Sequence, residues 1–122
     1  EGMILKPSMV ISGSECPQQA SPQQVADETL KVFRRVVPGA VPTINFLSGG
    51  QAPEQATLHL SLMNKVKNPW PLSFSYARAL QAPALKIWKG KAGNVEAAQA
   101  IFLKRARLNS AASLGEYSED MG

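Results

Sequence analysis

The sequence predicts an α/β fold built from parallel strands that alternate with helices. Three short apolar segments, at residues 2–7, 43–47 and 70–75, are separated by longer segments with helical spacing of apolar residues. Alternation of this kind implies parallel strands joined by right-handed crossovers, with helices covering the sheet. The strand ends lie about 42 and about 30 positions apart, close to the roughly 31 residues per unit of a (β/α)8 barrel. About three βα units of such a barrel would therefore account for the chain, with no internal domain boundary.

The first apolar segment, "GMILKP" from Gly2 to Pro7, ends on a lysine. Strands buried in parallel sheets read as continuous apolar runs, so a cation at the end of one is unusual. Lys6 would stand at the carboxyl end of its strand, where parallel α/β folds place their functional residues. A lysine at a strand end more often extends to water than takes part in catalysis, so position alone leaves both roles open.

The segment after residue 20 carries the signals of a helix start. Ser21 can serve as the N-cap, Pro22 fits the first helical position, and Gln24 can close a capping box. Pro38 and Gly39 supply the stop. The apolar face of this helix is expected at spacings of three and four residues, at Val25, Thr29, Val32, Phe33 and Val36.

Two further strands and a helix follow. Residues 43–47 are rich in strand formers, and "SGGQ" at 48–51 breaks the strand sharply. Residues 54–64 have the pattern of a helix, and "WPLSFS" at 70–75 predicts the third strand.

The last part of the chain is predicted to be helical with one interruption. A helix should begin near Tyr76 or Ala77, and Pro83 should kink or end it early, leaving 85–88 as a second short piece. Asn94 should cap the longest helix, roughly 95–113, and Gly115 should end it.

An anion site is predicted at the carboxyl ends of the second and third strands. Ser48 offers a hydroxyl, and Gly49 and Gly50 let backbone amides approach an anion without interference from a Cβ. Arg78 adds a fork of donors that matches phosphate oxygens. A Ser-Gly-Gly turn and a surface arginine are each common without any ligand, so these residues gain weight only together.

Composition and charge argue against several classes of partner. The chain is 44% hydrophobic and carries a net charge of +4, without an apolar run of about 18 residues that could span a bilayer. Its cations are spread among acids with no interleaved aromatic stripe, which favours solvated helix faces over a nucleic-acid groove. Cys16 lacks a nearby base, and His59 has no acidic or thiol partner at ligand spacing. We therefore expect no membrane, no nucleic acid, no metal and no cofactor.

Seven segments spread from Glu1 to Tyr117 share one resemblance: "EGMILKPSMV", "FLSGGQ", "EQATLHLSLMN", "NPWPLSFSY", "FSYARALQ", "NVEAAQAIFLKRARLNS" and "LGEY". They resemble the class I fructose-1,6-bisphosphate aldolase family nearly continuously over this range. A serine at position 8 and an alanine at position 77 are more similar to the plastid-type branch of plants and algae than to the animal enzymes.

The resemblance implies a (β/α)8 barrel of which this chain is the C-terminal part, from the sixth strand through the last helix. It implies an enzyme of sugar metabolism, in glycolysis and the Calvin cycle, that cleaves fructose 1,6-bisphosphate reversibly. Lys6 would form the Schiff base with the ketone carbon of the substrate. The hydroxyl of Ser48, the amide of Gly49, the amide of Ala77 and the side chain of Arg78 would hold the C1 phosphate. Because the family often has glycine where Ala77 stands, the amide of Ala77 can serve only if its φ is negative.

The resemblance also implies what this chain lacks. The acid/base carboxylates and a further active-site lysine of the family lie on earlier strands, so we expect the chain by itself to have little or no turnover. The family further suggests a homotetramer and a plastid stroma, with the cytoplasm as the alternative location. Two other functions stay open: a non-catalytic phosphate-binding or assembly segment, and a lysine-dependent aldolase that prefers a monophosphate.

Overall fold

The computed structural model describes residues Glu1–Gly122 and has one parallel sheet of three strands. The strands are β1 (Ile4–Leu5), β2 (Thr43–Phe46) and β3 (Leu72–Phe74), and they lie in the order β1-β2-β3. Both pairings are parallel. The predicted α/β fold with consecutive βα units is therefore confirmed, although each strand is shorter than the apolar segment that predicted it.

Four α-helices and two 3-10 turns complete the chain. The helices follow the predicted order, and each of the first two strands leads through a loop into the helix that crosses over to the next strand. The helices are α1 (Pro22–Val36), α2 (Pro53–Asn64), α3 (Arg78–Trp88) and α4 (Val95–Ser113), and the 3-10 turns are Ala92–Asn94 and Glu119–Met121.

The start of α1 is formed by the predicted capping box. The side chain of Ser21 accepts from the Gln24 amide at 3.2 Å, and the Gln24 side chain accepts from the Ser21 amide at 2.8 Å. The predicted apolar face is only partly right, because Val32 and Val36 are 40% and 69% exposed. The buried stripe lies one position round the helix, on the side where α2 packs, and comprises Val25, Ala26, Thr29, Leu30 and Phe33.

The prediction that Pro83 would end α3 early and leave 85–88 as a separate piece is wrong, because the helix continues through Pro83 to Trp88. Pro83 is the sixth residue of α3, so the proline removes a single intrahelical donor, the one that would reach the carbonyl of Ala79. The helix ends instead at Lys89, which has a left-handed φ of 53°.

The bounds of α4 match the prediction, but its cap does not. The side chain of Asn94 makes no capping bond and donates instead to the carbonyl of Trp88 at 3.1 Å. The chain enters α4 through the 3-10 turn that ends at Asn94. Gly115, with a φ of 73°, follows the end of the helix as predicted.

The helices cover one face of the sheet and leave the other open. Ile44, Phe46 and Leu72 are buried in the same apolar core as the inner faces of the helices. The ring of Phe33 on α1 stacks on Phe46 with centroids 5.5 Å apart. Because side chains alternate along a strand, Asn45 and its neighbours on the other strands point to the opposite face.

Both edges of the sheet are free of further strands. β1 pairs only with β2 on one side, and β3 pairs only with β2 on the other. This is the arrangement expected of consecutive units taken from a closed barrel, in which each outer strand would meet another. None of the helices combines the length and apolar character needed to cross a bilayer.

Candidate functional site

The carboxyl ends of the three strands meet at one edge of the sheet. Beyond the strands, the Leu47 amide donates to the Pro7 carbonyl at 3.0 Å, and the Ser75 amide donates to the Phe46 carbonyl at 2.8 Å. These bonds continue the parallel ladder past the regular strands. The segments that follow β1, β2 and β3 therefore lie side by side, as the sequence predicts for its candidate residues.

Lys6 lies on the open face of the sheet. Leu5 pairs with Ile44, and Asn45 pairs with Ser73, so Lys6 continues the row of side chains that contains Asn45 and Ser73. Its side chain is exposed and makes no hydrogen bond or ion pair within the chain. The position explains why an apolar strand can end on a lysine, because the side chain points away from the buried core.

Residues Ser48 to Gln51 form a tight turn at the end of β2. Gly49 and Gly50 have φ values of 59° and 82°, and the Gln51 amide donates to the Ser48 carbonyl at 3.1 Å. Positive φ at both central residues is the signature of a type I′ turn, and glycine adopts it without steric cost. Ser48 itself is buried at the base of the turn.

The side chain of Arg78 packs against this turn. A Cβ built on Gly50 would lie 3.6 Å from Nη1 of Arg78, so the guanidinium packs directly against the glycine backbone. The guanidinium makes no hydrogen bond or ion pair with the protein. Five donors of a permanent cation therefore face solvent beside the turn.

Backbone amides at the same edge have no acceptor within the protein. The amides of Gly49, Gly50 and Ala77 do not donate to any atom of the chain. Ala77 precedes the first residue of α3 and has a φ of −98°, so the condition for its amide to take the role of the family's usual glycine is met. Free amides, a helix start and a guanidinium together favour a bound anion such as phosphate.

A hydrogen bond between a histidine and a glutamine, which the sequence did not predict, supports the turn. Nδ1 of His59 lies 2.6 Å from Oε1 of Gln51, and Nε2 of Gln51 donates to the Ser48 carbonyl at 2.9 Å. His59 is buried, and burial lowers the pKa of its imidazole. No sequence signal connects two polar residues eight positions apart across a loop and a helix.

A pocket of about 230 Å³ lies beside the turn. Gly49, Gly50 and His59 form one wall, and residues of the loop between β1 and α1 form the other. The glycine turn is thus accessible to solvent rather than enclosed by the fold.

The remaining residues considered in the sequence lie away from this edge. Cys16 is an exposed free thiol whose Sγ contacts only the Gln18 carbonyl. Trp70 is buried in the core and lies edge-on to Phe33. Trp88 is 41% exposed at the end of α3.

The whole chain matches a known protein family. The sequence model described as "Fructose-bisphosphate aldolase class-I" matches residues 1–122. The chain is 57% identical over 117 residues to "Fructose-bisphosphate aldolase 1, chloroplastic" of Chlamydomonas reinhardtii, covering 96% of this chain and 31% of that protein. It is 58% identical over 118 residues to the chloroplastic aldolase 1 of Arabidopsis thaliana, covering 97% of this chain and 30% of that protein.

A solved structure shares the fold. Fructose-bisphosphate aldolase from Plasmodium falciparum, solved in complex with TRAP and a small-molecule inhibitor, superimposes with a TM-score of 0.90 at 46% identity. The match covers 94% of this chain and 33% of the other. The chain thus spans about a third of the length of the relatives that it matches.

Proposed function

The chain belongs to the class I fructose-bisphosphate aldolase family, and on that basis we propose that the full-length protein cleaves fructose 1,6-bisphosphate through a Schiff base on Lys6. The products are dihydroxyacetone phosphate and glyceraldehyde 3-phosphate, and the reaction is reversible. The observation that carries the proposal is the meeting of Lys6 and the anion-binding groups of Ser48–Gln51 and Arg78 at one edge of the sheet.

In this proposal the anion site positions the substrate for the lysine. The hydroxyl of Ser48, the amides of Gly49 and Ala77 and the guanidinium of Arg78 hold the C1 phosphate. Fixing the phosphate places the adjacent ketone carbon within reach of a neighbouring nucleophile, which replaces a bimolecular encounter by an intramolecular one. The donors are set by a glycine turn and a helix start, so little reorganisation is needed when the anion binds.

The chemistry follows from an amine that attacks a ketone. The neutral Nζ of Lys6 adds to the ketone carbon, and uptake of a proton with loss of water leaves a protonated imine. This cation withdraws electrons from the C3–C4 bond, which breaks as a base takes the proton of the C4 hydroxyl. The aldehyde is released, and an enamine remains on the lysine. Protonation of the enamine and hydrolysis of the imine then free dihydroxyacetone phosphate and the lysine.

The proton-transfer groups are proposed to come from outside these 122 residues. Lys6 is exposed here, whereas a nucleophilic lysine needs desolvation or neighbouring cations to become neutral. We expect the 122-residue chain to show no measurable cleavage by itself. Turnover by the purified chain would contradict this part of the proposal.

Borohydride trapping tests the proposed nucleophile. The full-length protein is incubated with dihydroxyacetone phosphate, reduced, and mapped by peptide mass spectrometry. We expect one adduct, on Lys6, and its loss in Lys6→Arg. Lys86→Arg is the matched control, because Lys86 is an exposed lysine on α3, away from the carboxyl edge of the sheet. An adduct on another lysine, or none in an active enzyme, would refute the role of Lys6.

A second candidate function is phosphate binding without catalysis. It is favoured by the fact that the turn at 48–51 and Arg78 come together within this chain, whereas Lys6 remains exposed. Tight sugar-phosphate binding that survives Lys6→Ala, with no covalent adduct, would favour it. A lysine-dependent aldolase with another substrate would be recognised by preferential cleavage of a monophosphate.

Location and assembly complete the proposal. Because several of the most similar relatives are described as chloroplastic, we place the full-length protein in the plastid stroma, with the cytoplasm as the alternative. The family resemblance supports a homotetramer. Fluorescence microscopy of the tagged full-length protein and light scattering of the purified protein test these two points.

A further inference from the structure

A chain of three hydrogen-bonded residues connects the interior of α2 to the turn at the end of β2. Nδ1 of His59 is hydrogen-bonded to the side-chain oxygen of Gln51, and Nε2 of Gln51 donates to the carbonyl of Ser48. The Gln51 backbone amide donates to the same carbonyl at 3.1 Å, so both lone pairs of that oxygen are engaged by one residue. The Ser48 carbonyl is thus fixed from two directions.

The chemistry of the contacts sets the orientation of the Gln51 amide. Its Nε2 must face the Ser48 carbonyl, because two oxygens in that position would repel each other. Its Oε1 therefore faces His59, and an oxygen of this kind can only accept. Nδ1 of His59 consequently carries the proton and donates to Gln51. The neutral form favoured by burial of His59 has one such proton to give.

Fixing the Ser48 carbonyl also fixes the direction of the Gly49 amide. The two groups belong to the same planar trans peptide, in which the C=O and the N–H point in opposite directions. A carbonyl drawn towards Gln51 therefore aims the Gly49 N–H away from it. That amide has no acceptor within the protein, as expected of a donor held ready for a ligand.

His59 is suited to anchor this arrangement because α2 holds it rigidly. Its side chain is only 5% exposed, and α2 is packed by α1 on one side and α4 on the other. The glycines of the turn by themselves are the most flexible residues available, so their amides need an external support to hold one direction. A buried helix residue provides that support through a single glutamine.

We propose that His59 is a positioning residue that acts through Gln51 to direct the Gly49 amide at the phosphate of the substrate. The inference rests on the proposed function, since it assumes that the Gly49 amide binds phosphate. His59 does not touch the substrate in this proposal, and its effect is confined to phosphate affinity.

The experiment compares variants of the full-length protein that break the chain at different points. His59→Leu removes the donor to Gln51. Gln51→Met removes the donor to the Ser48 carbonyl and the acceptor for His59 at nearly constant size, and it adds no charge beside the phosphate site. His59→Gln restores a donor of similar reach. Gln99→Leu is the control, because Gln99 is an exposed residue on α4 that does not line the pocket beside the turn and whose side chain makes no hydrogen bond.

We expect His59→Leu and Gln51→Met each to raise KM for fructose 1,6-bisphosphate by about tenfold while kcat changes by less than about twofold, the pattern of lost uniform binding. The inhibition constant of inorganic phosphate should rise by the same factor. His59→Gln should restore most of the affinity, and Gln99→Leu should leave it unchanged. The double variant should be no worse than either single one, since both break one chain.

Each outcome decides the inference. Cleavage by the wild-type protein with the same KM and phosphate inhibition in His59→Leu and Gln51→Met overturns it and leaves the proposed function standing. If His59→Leu does not fold, Gln51→Met carries the test by itself. If the wild-type protein does not cleave the substrate, the proposed function fails. The binding of inorganic phosphate to each variant, measured by phosphorus NMR, then tests the positioning role of His59. Equal phosphate affinity in all variants, or no phosphate binding at all, would overturn the inference.

Discussion

The guanidinium of Arg78 packs against Gly50, with Nη1 and Nη2 lying 3.6 and 3.7 Å from the position of a Cβ on that glycine. The two residues are 28 positions apart and belong to different βα units. Their contact joins the turn after β2 to the first residue of α3. It brings together two segments that are each common in proteins without ligands and that together make up the proposed anion site.

Arg78 should contribute phosphate affinity that a lysine cannot replace. Arg78→Met in the full-length protein is expected to raise KM for fructose 1,6-bisphosphate by roughly 10- to 100-fold, the range for losing a charge-assisted hydrogen bond. Arg78→Lys should recover only part of the loss, because the ammonium lacks the planar fork. Steady-state kinetics provide the measurement. Arg35→Met, an exposed arginine of α1 without an ion pair, is the control. An unchanged KM in Arg78→Met would exclude the phosphate role.

The space at Gly50 should accommodate an added methyl group, but the backbone conformation there should be strained for any residue with a Cβ. Its φ of 82° is costly for an L residue, so Gly50→Ala is expected to lower the free energy of unfolding by about 1–2 kcal/mol. The added Cβ would only reach ordinary contact distance from Arg78. Urea unfolding of the full-length protein measures the change. Gly13→Ala should be neutral, since Gly13 has no positive φ and open space around it. Equal effects of the two substitutions would argue against strain at Gly50.

Arg105 should stabilise the contact between α4 and the start of α2. The side chain is buried, and its Nη2 donates to the Pro53 carbonyl at 2.8 Å and to Oγ1 of Thr57. We expect Arg105→Ala to cost about 2–4 kcal/mol through lost hydrogen bonds and a cavity. Arg105→Met should cost less, because it refills the volume and removes Nε, which has no partner.

The urea unfolding midpoints of these two variants test the role of Arg105. Arg107→Ala is the control on the same helix, because Arg107 is exposed. A methionine variant as unstable as the alanine variant would show that the hydrogen bonds matter more than packing.

His59 should make stability depend on pH below neutrality. Burial lowers its pKa in the folded state below the ordinary value of about 6.5, so the unfolded chain binds more protons in the interval between the two values. Stability is therefore lost as the pH falls below about 6.5, with a slope of up to about 1.4 kcal/mol per pH unit, and it levels off below the folded pKa. Above about pH 6.5 the contribution is constant.

Thermal or urea unfolding of the full-length protein between pH 5 and 8 checks this dependence. The difference in stability between wild type and His59→Gln isolates the imidazole from every other titrating group. It should shrink as the pH falls through the interval, because glutamine does not take up a proton. A constant difference across the range would show that His59 has the same pKa in the folded and unfolded chain.

Local signals in the sequence determined the class of the fold and most of its boundaries. Several of these signals act within a few residues, so neighbouring residues in the sequence are enough to predict their effect. They are the capping box at Ser21, the glycines of the turn after β2 and the helix stop at Gly115. The alternation of elements then predicts a parallel sheet with its candidate residues at one edge. The resemblance to the aldolase family identified the protein family, which these local signals do not reveal.

Tertiary structure alone decided which groups touch and which faces are covered. The contact of Arg78 with Gly50 and the support of the turn by His59 join residues from separate elements, and no local pattern encodes such distances. Val36 is exposed because burial depends on which elements pack beside a helix, whereas periodicity predicts only that a face exists. Pro83 stays inside α3 because losing one hydrogen bond in the middle of the helix does not stop the helix from continuing, a balance of energies that propensity by itself does not settle.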